Sequence, residues 1–141
     1  MKKEDNHNYY FYIFTISLIV VLILDFIWIG VLNNESYIKT FEKVQGNREM
    51  VVRKGSATAA YLLIPLSILL VVHRPWENNK NKSTSELLFN GGLLGFFIYG
   101  IFNTTNHAIF IDYPINVAIK DTVWGTFLYS VTSIVPHLLI G

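Results

Sequence analysis

Glu86-Leu-Leu-Phe-Asn-Gly-Gly-Leu-Leu-Gly-Phe-Phe-Ile-Tyr-Gly-Ile-Phe-Asn-Thr-Thr-Asn-His107 is apolar through most of its length and closes on amides, hydroxyls and an imidazole. A helix of this length, rising 1.5 Å per residue, crosses the roughly 30 Å hydrocarbon core of a bilayer. Gly91 and Gly95 form a Gly-x-x-x-Gly pair, with Gly100 further along. That spacing lets helices approach closely in lipid. The polar end, Asn103-Thr104-Thr105-Asn106-His107, lies where hydropathy still calls for membrane.

Three more runs repeat the pattern. Tyr9–Leu32 is apolar apart from Thr15, Ser17 and Asp25. Lys2 and Lys3 before it suit a signal peptide, but no small-residue cleavage site follows, so it reads as a retained span. Gly55–Val72 opens with small residues and contains Pro65, which predicts a bend; His73-Arg74-Pro75-Trp76 ends it. Ile115–Ile140 carries Asp121, Trp124, Pro136 and His137. Between the spans, Tyr37, Phe41 and Val44 recur at helical spacing and predict either a short amphipathic interface helix or a solvated loop with one turn. Ser83 or Ser85 is placed to cap the third span, and Pro114 breaks the turn before the fourth. The short polar stretch Met1–Asn8 reads as disordered. The expected fold is therefore all-α: one integral-membrane domain, a four-helix bundle over residues 1–141, with spans near 9–32, 55–73, 86–107 and 115–140.

Composition agrees. Of 141 residues, 52% are hydrophobic and 15% charged, against roughly 25% charged in soluble domains. Mean hydropathy is +0.39. A net charge of +1 gives no basic patch for nucleic acid. With no cysteine there is no thiol chemistry or Cys-based zinc motif, and no Gly-rich phosphate loop is present. No cofactor is implied; the lipid bilayer is the one partner that is. Five basic residues on the terminal side face six on the other, a balance that leans only slightly toward a cytoplasmic Asn33–Lys54 loop.

Topology gathers the polar residues. Four crossings place the end of span one, the start of span two, the end of span three and the start of span four on one side. Asp25 lies about 10 Å inside that surface. Asp25 and Trp28 share a helix face, as do Asp121 and Trp124; Asn103, Asn106 and His107 share another. A charged group facing lipid costs about 3 kcal/mol, so these faces should turn inward. Asp121, beside Lys120, has the alternative of sitting in the wet interface; Asp25 has no such neighbour. The candidate ligand-binding set is thus Asp25, Trp28, Asn103, Asn106, His107, Asp121 and Trp124. Asp25 is expected within hydrogen-bonding or single-water distance of Asn103 or Asn106. Asp121 should lie nearer the cavity mouth, with the two tryptophans as walls. The segments 25–32 and 121–128 match at Asp, Trp and Leu, a match too short to separate duplication from chance.

At these residues the chain resembles the family of small membrane proteins known as domain of unknown function 2177. The resemblance rests on Asp25/Trp28, on Phe102-Asn103-Thr104-Thr105-Asn106, and on Asp121-Thr122-Val123-Trp124-Gly125, and runs from about Val20 to Leu139. It implies four spans and supplies no reaction. Asn103 stands where the family usually has Asp, which puts any activity needing that carboxylate in doubt.

Three functions follow from the residues. A pocket between the helices can bind or transport a proton, cation or small polar molecule, the use to which intramembrane carboxyls are commonly put. A membrane enzyme for a lipid or apolar substrate would use His107 or an Asp as acid–base group. His107 or an Asp, with Asp25, Asp112 and Asp121, would suit a hard metal, but no ligand spacing supports one. A structural or assembly protein would use the same residues only to bond helices together.

Overall fold

The structure, a computed structural model, describes residues 3–77 and 81–140. Five α-helices make it up: α1 (Lys3–Asp25), α2 (Asn34–Val44), α3 (Lys54–Ser67), α4 (Thr84–Ile109) and α5 (Ile115–Ile140). Two π-helical runs extend α1 and α3, over Phe26–Leu32 and Ile68–His73. With them, four segments are long and apolar enough to cross a membrane: His7–Leu32, Lys54–Glu77, Thr84–Ile109 and Ile115–Ile140. No strand occurs among the described residues. The polar N-terminal stretch, expected to be disordered, is helical from Lys3; it contains no Pro or Gly to stop the helix.

α4 and α5 form the tightest pair. A Cβ on Gly91 would meet the Ser133 side chain and the Tyr129 carbonyl, and one on Gly95 the Gly125 carbonyl. Gly125 in turn leaves room for the Tyr99 ring. The Gly-x-x-x-Gly pair therefore does what its spacing predicts. α1 packs antiparallel on α5 in four-residue steps. Asp25 meets Trp124, and one turn on Val21 clusters with Leu128. The next two steps carry Ser17 and Thr132, then Ile13 and Pro136, all fully buried.

The predicted amphipathic segment is α2. It lies across the bundle end instead of on lipid: Tyr37 and Thr40 are buried, and Phe41 and Val44 pack on Tyr113, Val117 and Ala118. Lys43 pairs with Asp112 at 3.1 Å, and Lys120 donates to the Asn33 side chain at 2.6 Å.

Helix ends follow their sequence signals. Ser83 Oγ accepts the Glu86 N–H at 3.1 Å and caps α4. Three residues beyond Pro65 the ladder of α3 widens into the π-helical run, which Arg74 closes in the left-handed region (φ 47°) with its N–H on Leu69. At the same end Lys82 donates to the Val72 carbonyl at 2.9 Å, and His73 Nε2 lies 3.1 Å from the Ser133 carbonyl.

Candidate functional site

The predicted polar residues meet beneath α2. Asp25 is 4% exposed, Asp121 6% and Asn103 0%. Asp121 is therefore buried and does not sit in the wet interface, because Lys120 beside it turns away to Asn33. The helix containing Asp25 changes to π-helical winding at the next residue, so the Asn33 N–H reaches back five residues to Trp28 at 2.9 Å. π-Helical insertions recur at functional sites.

The two Asp-x-x-Trp elements are crossed. Trp124 Nε1 of α5 donates to Asp25 Oδ1 at 2.9 Å. Trp28 Nε1 donates to the Tyr37 hydroxyl at 3.2 Å, and that hydroxyl donates to Asp121 Oδ1 at 2.5 Å. The two indoles stack at 4.5 Å with 4° between planes. Each tryptophan thus serves the other element's carboxyl, one directly and one through a tyrosine.

Asn103 completes the set from α4. Its amide donates to Asp121 Oδ2 at 2.7 Å and to the Tyr99 carbonyl at 2.9 Å; its oxygen accepts from the Tyr113 hydroxyl at 2.6 Å. This corrects the expected pairing. Both N–H groups of Asn103 are already engaged, so Asp121, not Asp25, is its carboxylate partner. Asn106 is half-buried, with its amide beside the Tyr113 hydroxyl. His107 points away, with Nδ1 2.8 Å from the Tyr113 carbonyl, where it braces the turn between α4 and α5. Asp112 is held by Lys43, so the three aspartates do not gather.

Tyr37 and Tyr113 belong to the site, and nothing in their local sequence marks them for it. Tyr37 stood on the apolar face of the amphipathic segment; only the folding of α2 over the bundle end makes it a bridge. Burial, then the Asp121 carboxylate, raises the phenol pKa of both above its ordinary value; for Tyr37 the hydrogen bond to Asp121 acts in the same direction.

The donors around the carboxyls are all neutral. Among the described residues, no Lys, Arg or His forms an ion pair with Asp25 or Asp121. Beside Asp121 a groove of 340 Å³ opens between α3 and α4, walled by Ala60, Ile64, Ile98 and Phe102, with Tyr99 and Tyr129 also lining it. The Tyr99 hydroxyl has no hydrogen-bond partner among the described residues.

Comparison with known protein families places the chain beside one of them. A family model described as "Predicted membrane protein (DUF2177)" matches residues 10–138. No curated protein and no solved structure matches.

Proposed function

We propose, for a chain that belongs to this family of predicted membrane proteins, that the Asp25–Asp121 network binds a cation: a proton, an inorganic cation or a small protonated molecule. The observation that carries this is the pair of buried carboxyl groups surrounded only by neutral donors. A carboxylate out of water needs a counter-charge, and an unbalanced one is expensive in a membrane interior. Each Asp121 oxygen accepts one hydrogen bond here, which leaves lone pairs free for a ligand. Binding coupled to passage across the membrane would make the protein a transporter; binding alone would make it a sensor or carrier.

The test is titration of the purified protein in phosphatidylcholine nanodiscs with methylammonium, sodium and potassium salts, read by tryptophan fluorescence. The stacked indoles touch the site and report on it. A saturable change in the parent that is absent in Asp121→Asn supports binding. Identical, unsaturable curves for parent and variant would sink it.

A structural role has one observation in its favour. Asn103 is fully buried with both amide ends engaged, as a helix-bonding residue would be. On that reading Asp121→Asn melts at a lower temperature and no cation alters the melting of the parent.

A further inference from the structure

The geometry points to a specific ligand class: an amine-bearing amphiphile that enters sideways from the bilayer, with its tail between α3 and α4 and its head on Asp121. This rests on the carboxyl pair being a cation-binding site and adds what the cation is attached to and how it arrives.

The groove has two unlike parts. Ala60, Ile64, Ile98 and Phe102 make walls with no charge, continuous with the membrane-facing surface. Asp121 and Tyr129 both line it, eight residues apart on α5, so it runs about 12 Å along that helix. At that end lie the buried Asp121, which has no cationic partner among the described residues, and Tyr99, whose hydroxyl has no hydrogen-bond partner among them.

A small inorganic cation would use the carboxyl and leave the apolar walls to lipid. A neutral lipid tail would use the walls and leave the carboxyl unbalanced. A protonated amine on a hydrocarbon chain matches both: N–H donors for Asp121, a group to hydrogen-bond the Tyr99 hydroxyl, and methylenes for the walls. Apolar pockets of about 300–1,000 Å³ with a few converging polar groups are the usual form of small-molecule sites. From the aqueous side the site is roofed by α2, with Tyr37 and Thr40 buried beneath it. That leaves the bilayer as the open approach.

The experiment uses the full chain in phosphatidylcholine nanodiscs and three probes: methylammonium, octylammonium and neutral octanol. Counted from water, each methylene should strengthen binding about fourfold, so octylammonium should bind far more tightly than methylammonium; part of that gain is partition into the bilayer, and Ala60→Trp and Asp121→Asn separate the share that belongs to the groove. It should raise the melting temperature of the parent and have no such effect on Asp121→Asn. Octanol should be inert. Ala60→Trp, which fills the groove, should weaken octylammonium binding. Because that variant can fail to fold, a second measurement uses the parent alone. An alkylamine carrying a diazirine should crosslink to residues 60–64 and 98–102, and octylammonium should compete it away. Equal binding of the two amines overturns the groove and leaves the carboxyl site standing. Equal effects of octanol and octylammonium reduce the groove to a lipid contact and overturn the proposal. Absence of crosslinks in those segments overturns it too. No response to either amine, in parent or variant, overturns the amphiphile proposal, and the sodium and potassium titrations then decide whether the carboxyl site stands.

Discussion

Trp124 and Asp25 are 99 residues apart in sequence and 2.9 Å apart in space. Removing Asp25 leaves the Trp124 N–H without its partner, and removing Trp124 leaves Asp25 with the Tyr61 hydroxyl alone; losing one partner costs about 1–3 kcal/mol, whereas removing both can be nearly neutral. Asp25→Leu and Trp124→Phe should each lower stability, and the double variant should lose less than the sum; a thermodynamic cycle on the three proteins measures the coupling. Tyr37 gives a pH prediction. Its phenol pKa is raised in the folded state, foremost by burial. Below about pH 10 both states hold the proton. Above that the unfolded chain releases it first, so the contribution is lost as pH rises through the folded value. The parent should therefore lose stability above about pH 10. Tyr37→Phe should start less stable by about 1–3 kcal/mol, since Asp121 and Trp28 both lose a partner, and its alkaline slope should be shallower. Melting curves from neutral to strongly alkaline pH decide this. At this scale the two carboxyls, the two tryptophans and Asn103 were legible in the sequence; the bridging tyrosines and the pairings were not. Helical spacing puts Asp25 and Trp28 on one face. It does not say that α2 will slip Tyr37 between Trp28 and Asp121, or that Asn103 will use one N–H on the carbonyl a turn behind it.

Among the helices, small residues set the contacts. Gly95→Ala drives a Cβ into the Gly125 backbone, which cannot move aside. Gly92→Ala meets mainly the Ser130 hydroxyl, which can rotate. Overpacking costs about 1–3 kcal/mol, so Gly95→Ala should fall in that range and Gly92→Ala well below it, as read by denaturation in detergent. The α1–α5 ladder makes the opposite prediction. Among the described residues Thr132 Oγ1 is buried with no hydrogen-bond partner, and so is Ser17 Oγ, a residue at the matching step of α1. Thr132→Val keeps the shape and removes an unpaired hydroxyl, so it should stabilise by about 1 kcal/mol. A loss of stability would mean the hydroxyl has a partner. The spans and the glycine contacts were legible because hydropathy and i, i+4 spacing are local properties. The π-helical runs were not. They lengthen the ladder by one residue without changing composition, and nothing in Phe26–Leu32 departs from an ordinary apolar helix.

At the scale of the whole molecule, α2 seals one end of the bundle and the α3–α4 groove opens its side. The amphipathic pattern of Tyr37, Phe41 and Val44 was visible; that it faces protein and not lipid depended on Tyr113, Val117 and Ala118 presenting an apolar platform. The crossed tryptophans also impose an order on assembly. The first span carries its carboxyl into the bilayer long before the indole that hydrogen-bonds it has been made. At about 5–20 residues per second, that interval is on the order of 5–20 s. Throughout it, span one is an incomplete object with an acidic group seeking shelter, held by the insertion machinery or by proton uptake. A chain stopped after Pro114 never receives the fourth span and should be cleared quickly. Pulse-chase of that truncation should show Asp25→Leu prolonging its half-life; an unchanged half-life would mean the waiting carboxyl is not what the cell detects. Quality control of this protein then turns on a clock set by the last helix to emerge.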